Sequence, residues 1–468
     1  MKKVIIAGGG VSGLSVGFEL LERGLDPDEV AILEAGPRAG GNLWAERGDG
    51  FLVEAGPNGF LDNSPPTLEL AGRLGLEDRL LRSNEAAAVR HIYSRGALRR
   101  VPSGPGGLLG SGLLSVPGRL RVMLEPFVRG GGHPGESVFD FAARRIGSEA
   151  AASLVSAMAA GVFAGDARRL ELASAFPKMA AMEAEHGTLT RAMIARRRAR
   201  RKALKSGDPE AEKVGGPSGP AGVLTSFAGG IEELPRALAR RLDGSLRTGA
   251  PVTRLERTGH ERWRAVIGEG EALEARAVVL ACPAWESARI TKDTEPRLAS
   301  LLEEIPPAPI TVVATAYRAE QIGGDPPGFG LLVAPGHGPR ILGCLWTSSI
   351  WDGRAPDGTV LLRTMVGGAR DPHAAELEEG ELLELVAGDL RTTMGIEARP
   401  LRDWIFRHPR GIAQYVPGHG ERLERIRALL EGAPGLFVSG SSYGGISVNH
   451  CAAEAPQVAG RVIEKVEG

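Results

Sequence analysis

The chain has 468 residues, enough for two or three domains with substantial cores. Its 56 basic and 57 acidic residues nearly cancel and 43% of it is hydrophobic, which describes an ordinary globular protein and argues against nucleic acid as a main partner. Three widely spaced cysteines, Cys282, Cys344 and Cys451, give neither a disulfide framework nor metal-ligand spacing, as expected of a reducing cytoplasm. The sequence runs straight into a strand, so no signal or transit peptide is expected. No stretch approaches about 18 uninterrupted apolar residues, so no spanning helix is expected either.

Val4-Ile5-Ile6-Ala7 reads as a strand and feeds Gly8-Gly9-Gly10-Val11-Ser12-Gly13, after which Leu14, Phe18 and Leu21 recur at helical spacing. A second strand, Val30-Ala31-Ile32-Leu33, ends in Glu34, which follows Gly13 by 21 residues. This is the strand–turn–helix–strand–acid order of a dinucleotide-binding unit. Gly8 permits the tight turn, Gly10 lets backbone approach a pyrophosphate, and Gly13 lets helix and strand pack closely. The helix N-terminus turns unpaired N–H groups toward the phosphates, and Glu34 suits the ribose hydroxyls. The continuation Glu34-Ala35-Gly36-Pro37-Arg38-Ala39-Gly40-Gly41-Asn42, then Glu54-Ala55-Gly56-Pro57-Asn58-Gly59, suits a long dinucleotide threaded deep into the protein. This Glu-x-x-x-Arg-x-Gly-Gly pattern resembles the flavoprotein amine oxidase superfamily, which binds FAD.

Further along, Pro65 and Pro66 open a helix, and Val89–Tyr93 with Leu98 and Val101 predicts a hairpin. Residues 104–132 alternate apolar stretches with Pro, Gly and Arg, a pattern that suits a membrane interface or core helices joined by a loop. The pattern is helical from Ser137 to about Ala160, ending at Gly161-Val162-Phe163-Ala164-Gly165-Asp166. Eight basic residues fall among positions 191–205, on an exposed helix that is either a solvated face or a site for anionic lipid. Residues 206–222 lack apolar content and read as a mobile linker. A helix is predicted to open at Phe227-Ala228-Gly229-Gly230-Ile231, with strands near 252, 263 and 277. Residues 305–370 are strand-rich, Glu376–Met394 is helical, and a late Gly-rich strand–turn–helix runs from Leu436 to Val466.

Taken together, these elements resemble the protoporphyrinogen oxidase family over nearly the whole chain. Gly161–Asp166 and Gln414-Tyr415 with Gly418-His419 are the more diagnostic parts, joined by Arg90-x-Ile92-Tyr93, Gly328-Phe329-Gly330 and Tyr443–Asn449. Ala413 stands where the family usually has Pro, and Asn42 where some members carry an aromatic residue. The resemblance implies an α/β plus α+β fold. A discontinuous Rossmann-like FAD domain (1–75, 225–300 and 410–468) would hold a sheet-based substrate domain (76–100 and 301–409). A helical, membrane-associated domain (101–205) and a flexible linker (206–224) complete the expected plan.

The function it implies is six-electron, FAD-dependent oxidation of protoporphyrinogen IX to protoporphyrin IX in haem biosynthesis, with O₂ as acceptor and H₂O₂ released. The FAD is non-covalent, with expected contacts at Gly8, Gly9, Gly10, Val11, Ser12, Gly13, Glu34, Ala35, Arg38, Gly41, Asn42, Gly56, Pro57, Asn58, Gly59, Val252, Ser441, Ile446, Ser447 and Val448. Arg90 would pair with a substrate propionate, Phe329 and Leu332 would sandwich the macrocycle, Met365 would line the opposing wall, and the Gly161 carbonyl would accept a pyrrole N–H. No catalytic side chain beyond the flavin and no metal are implied. The expected setting is cytoplasmic and peripheral on an anionic membrane, with a homodimer allowed. Competing readings are coproporphyrinogen III oxidation, an amine oxidase of the same fold, and a non-catalytic FAD-dependent scaffold.

Overall fold

The computed structural model describes residues 2–102, 107, 110–205, 222–259 and 262–468. Apolar strands from the beginning, middle and end of the chain meet in one seven-stranded sheet. Its order is Leu246–Arg247, Val30–Leu33, Lys2–Ala7, Glu271–Leu280, Arg262–Ile267 and Val252–Gly259, with Leu436–Val438 also paired to Glu271–Leu280. The strands around Lys2–Ala7 run parallel, and the strands from 252 to 280 form an antiparallel meander. Both faces are covered, which is why the central strands read as continuous apolar runs. Val4 and Ile6 pack on one side against the helices Val11–Glu22, Glu233–Arg241 and Val448–Glu467. Ile5 and Ala7 pack on the other, in a core shared with Ala284–Thr291 and Pro296–Glu303.

A second seven-stranded sheet has the order Arg402–Ala413, Pro307–Arg318, Thr359–Gly367, Gly343–Trp346, Gly330–Val333, Arg90–Ser94 and Ala97–Arg100. Its neighbours are antiparallel except Gly330–Val333 with Arg90–Ser94. One face buries Val313, Leu331, Val333, Cys344 and Leu362 against Leu382, Val386 and Leu390 of the helix Glu379–Met394. Side chains alternate across a strand, so the intervening residues share the opposite face. There Ala314, Ala316, Leu361, Trp404 and Phe406 pack on Phe51 and Val53 of the hairpin Ala45–Gly48/Phe51–Glu54. The other half of that face meets the helix Ser156–Phe163.

One sequence expectation needs correction. Phe227 does not open a helix: Leu224–Phe227 is a strand, paired with Phe60–Leu61 and Leu80–Arg82. The helix starts only at Glu233, because Gly230 turns the chain through a left-handed φ of +90° that helix cannot follow. The stretch from Ser137 to about Ala160 is helical as expected, in consecutive pieces. Val138–Ile146 ends at Gly147 (φ +92°), and a π-helical turn at Ala151–Val155 precedes Ser156–Phe163. The expected linker falls at 206–221, outside the described residues, while Leu224 already belongs to a strand.

Candidate functional site

The glycine run of the first turn packs backbone on backbone. A Cβ at Gly13 would collide with the Gly8 carbonyl, and Gly8 itself (φ +115°) would meet the 281–282 backbone at 2.9 Å. Gly40 N–H donates to the Gly9 carbonyl at 2.8 Å, and a Cβ at Gly41 would come within 3.2 Å of the Gly10 Cα. A groove floored by bare backbone therefore opens at the start of Val11–Glu22. The half-buried Glu34 carboxylate borders it and accepts Gly9 N–H at 2.8 Å and Gly36 N–H at 2.7 Å. Each oxygen keeps a lone pair for a further donor such as a ribose hydroxyl. Arg38 donates to the Gly41 carbonyl at 2.9 Å and lies over Trp44, while Ala35 is exposed beside it. Ala250 N–H donates to the Glu34 carbonyl at 2.8 Å, which brings the strand beginning at Val252 to the same end of the groove. Val11 and Ser12 are buried, and the Ser12 hydroxyl faces Gly440, so the backbone N–H is what Ser12 offers to a phosphate.

The segment 54–59 continues from this groove toward the second sheet. A Cβ at Gly56 would strike the Asn42 carbonyl, so glycine is required where these two strands of backbone cross. Pro57 and Gly59 follow, and the Asn58 Nδ2 is buried without a hydrogen-bond partner. An orphaned amide donor of this kind asks for an acceptor that the chain does not supply. At the far end, Ser441 and Ser447 are exposed and Ile446 half-buried. Ser447 caps Val448–Glu467, its hydroxyl accepting His450 N–H at 3.2 Å, so a second helix N-terminus faces the same space as the 441–446 turn. Two helix N-termini, a diol-accepting carboxylate, bare glycine backbone and an unpaired amide fit a dinucleotide such as FAD. When bound, FAD supplies a two-electron hydride acceptor.

On the second sheet, pairing register places Ile92, Leu332, Gly343 and Met365 in one row across neighbouring strands, with Arg90, Gly330, Leu345 and Arg363 in the next. All belong to the face opposite the helix Glu379–Met394. The missing side chain at Gly343 leaves room for Leu332, whose Cδ2 also lies 2.8 Å from where a Cβ at Gly161 would stand. Leu332 is thus held between Gly343 and Gly161. The exposed Arg90 guanidinium sits 5.2 Å from the centre of the Phe329 ring. Met365 belongs to a separate small cluster with Ala160, Ala164 and Leu342. The structure therefore brings Arg90 to Phe329 and Leu332 to Gly161, and sets Met365 on the same face beyond Gly343.

Sequence reasoning passed over Arg363, which joins the two halves. It is buried, and its Nε donates to the Glu54 carbonyl at 2.9 Å while Nη2 donates to the Gly56 carbonyl. His408 Nε2 holds the intervening Ala55 carbonyl at 2.9 Å. Burial lowers the Arg363 pKa to about 10, with Glu54 opposing, so the guanidinium stays charged at neutral pH. Burial likewise pushes the Glu54 carboxyl up to about 7, offset in part by Ile231 N–H, Arg354 and Arg363. The signal was present: an arginine inside the otherwise apolar run Val360-Leu361-Leu362-Arg363-Thr364-Met365-Val366 must find buried partners.

The family model for "Flavin containing amine oxidoreductase" matches residues 11–463. A chloroplastic protoporphyrinogen oxidase of Oryza sativa subsp. japonica is 32% identical over 98% of this chain and 87% of its own length. A coproporphyrinogen III oxidase of Bacillus subtilis (strain 168) is 27% identical over 96% of this chain and 95% of its own. A crystal structure from Exiguobacterium sp. 255-15 shares the fold, with a TM-score of 0.82 at 23% identity, covering 100% of this chain and 99% of that one. With its groove, its glycine cradle and these relatives, the chain belongs to the flavin-containing amine oxidoreductase family and is an FAD-dependent oxidoreductase.

Proposed function

We propose that the chain oxidises protoporphyrinogen IX to protoporphyrin IX, passing six electrons to O₂ in three two-electron turns that each release H₂O₂. The observation that carries this reading is the sheet face on which Arg90, beside the Phe329 ring, and Leu332, against Gly161 of the neighbouring helix, stand in adjacent register rows. A bulky, largely apolar macrocycle with carboxylate arms needs such a wall, with a cation at its rim. The Arg90 guanidinium would take a propionate in a bidentate pair. Phe329, Leu332 and Met365 would exclude water from the ring, and the Gly161 carbonyl would accept a pyrrole N–H. Arg363 and His408 would keep the 54–56 segment, and hence the flavin above it, in register with that wall.

The first sheet would form the FAD domain and the second the substrate domain, with the helices between 116 and 205 resting on a membrane surface. In support of that last point, Val116, Leu120, Met123, Leu124 and Phe127 are exposed, Phe127 at 82%, on a segment that also carries Arg119, Arg121 and Arg129. Among the described residues no helix is long and apolar enough to cross a membrane, and the proposed contact is with the surface, on the cytoplasmic side.

The test is porphyrin fluorescence from FAD-loaded protein given protoporphyrinogen IX or coproporphyrinogen III, against a no-enzyme control, with peroxide measured in parallel. Faster formation of protoporphyrin is the expected result. Preference for coproporphyrinogen, the reading favoured by the Bacillus relative, would keep the site and change the substrate. Acceleration of neither would overturn the proposal.

A further inference from the structure

The element Gln414-Tyr415 with His419 has no role in the reaction described above, yet it is among the best-buried polar groups in the protein. Tyr415 and His419 are 1% and 0% exposed, and their rings stack at 4.1 Å between centroids with 12° between planes. Neither side chain serves its own segment. The Tyr415 hydroxyl donates to the Ser441 carbonyl at 2.7 Å, and His419 Nε2 lies 3.3 Å from the Tyr443 carbonyl. A carbonyl accepts only, so Nε2 carries the proton, and the buried Nδ1 is left without a partner. The loop so held, 441–447, contains Gly444 and Gly445 and joins neither sheet nor helix. With little intrinsic structure, its carbonyls point where these two rings direct them. On the neighbouring residue, Gln414 Nε2 donates to the Phe163 carbonyl at 2.8 Å, at the end of the helix that carries Gly161. Tyr415 itself accepts Glu171 N–H at 2.7 Å through its carbonyl.

We propose that Tyr415, backed by His419, is a positioning residue for the flavin, fixing the Ser441–Tyr443 backbone against which the cofactor rests. Gln414 anchors the same two-residue unit to the helix that forms the substrate wall, so cofactor and substrate take their spacing from one rigid piece of backbone. The inference rests on placing FAD against Ser441–Val448.

The experiment compares Tyr415→Phe with Thr311→Val. Tyr415→Phe keeps the ring and its stack on His419 and deletes only the bond to the loop backbone. Thr311→Val deletes a buried hydroxyl of the second sheet, away from that loop, whose partner is the Ala375 carbonyl at 2.8 Å. Three readouts need no porphyrinogen: FAD affinity of the apoprotein by fluorescence titration, the visible spectrum of the bound flavin, and its midpoint potential. Tyr415→Phe is expected to weaken FAD about five- to tenfold, as loss of one buried hydrogen bond does, and to move the spectrum and the potential. Thr311→Val is expected to leave all three near wild type. Equal effects in both variants would show general loosening and overturn the proposal, as would wild-type values in Tyr415→Phe. If Tyr415→Phe does not fold, His419→Gln, which removes the stacking ring but keeps a donor, is expected to show the same spectral and potential change, and a wild-type flavin there would overturn the proposal. Failure of the wild-type protein to oxidise any porphyrinogen would sink the proposed reaction without moving these flavin readouts.

Discussion

Arg363 Nε donates to the Glu54 carbonyl oxygen at 2.9 Å, joining the second sheet to the segment before Gly56 across 309 positions of sequence. The same guanidinium reaches the Gly56 carbonyl, and Glu54 is fully buried nearby. Arg363→Met is expected to leave the Glu54 and Gly56 carbonyls without their donor, destabilising the fold by about 2–5 kcal/mol. FAD retention on gel filtration and thermal unfolding should fall together. A variant with wild-type Tm and full flavin content would refute the link.

Arg90 lies at the rim, where its loss leaves nothing buried and unpaired. Arg90→Ala is expected to lower kcat/KM for a dicarboxylate porphyrinogen about ten- to a hundredfold, roughly 1–3 kcal/mol, with Tm unchanged. Arg90→Lys should recover only part of this, since an ammonium cannot match a carboxylate bidentately. Unaltered kinetics in Arg90→Ala would remove it from the site.

Gly161 offers a test in which stability and activity move apart. Gly161→Ala should favour the helix Ser156–Phe163 by up to about 1 kcal/mol through propensity. Its Cβ, however, would lie 2.8 Å from the Leu332 Cδ2 and push that flexible end toward the sheet. The expected outcome is a Tm equal to or above wild type with a raised KM for porphyrinogen. A raised Tm with unchanged KM would show that the space beside Leu332 is not used by substrate.

Two buried groups give opposite pH dependence. Burial chiefly lowers the His419 pKa to about 4, the Tyr443 carbonyl and Glu171 acting the other way and Arg422 with it. The folded state resists that proton, so the His419 contribution is complete above about 6.5 and is lost as pH falls toward 4, roughly 3 kcal/mol in all. Glu54 is raised to about 7 from 4.5, so its contribution is complete below 4.5 and is lost as pH rises through 7. The two slopes oppose each other over most of this range. Urea unfolding of His419→Gln should therefore fall more steeply with rising pH than wild type, and Glu54→Gln should rise. Parallel profiles for all three proteins would contradict both assignments.

The exposed apolar edge predicts vesicle binding. Leu120→Asp with Phe127→Asp is expected to weaken flotation with anionic liposomes by at least tenfold, since each large side chain inserted contributes about 1.5–3 kcal/mol. Turnover of a porphyrinogen presented in detergent should not change. Equal flotation of both proteins would assign those residues to some other contact.

The nucleotide groove was legible in the sequence because it is local: strand, glycines, helix and Glu34 lie within one short unit whose spacing is dictated by backbone geometry. The proposed substrate wall was legible only through resemblance, since Leu332 and Met365 are indistinguishable by pattern from core residues, and only sheet register shows that they share a face. Arg363 was missed for the same reason, its partners being 309 and 307 positions away. The helix expected at Phe227 failed because an apolar residue before Gly229-Gly230 suits a strand end as well as a helix start.

The pairing of Glu271–Leu280 bears on synthesis. On the side away from Lys2–Ala7, this strand pairs through residues 271–275 with its own hairpin, and through Val278–Leu280 with Leu436–Val438. A chain emerging from the ribosome can close the hairpin at once. The fully buried edge of Val278, Val279 and Leu280 stays open until the residues past Leu436 are free of the exit tunnel. The first sheet is thus begun early and sealed last, so a nascent chain halted anywhere from Pro307 to Ala413 displays an unpaired apolar strand, the natural target for a chaperone.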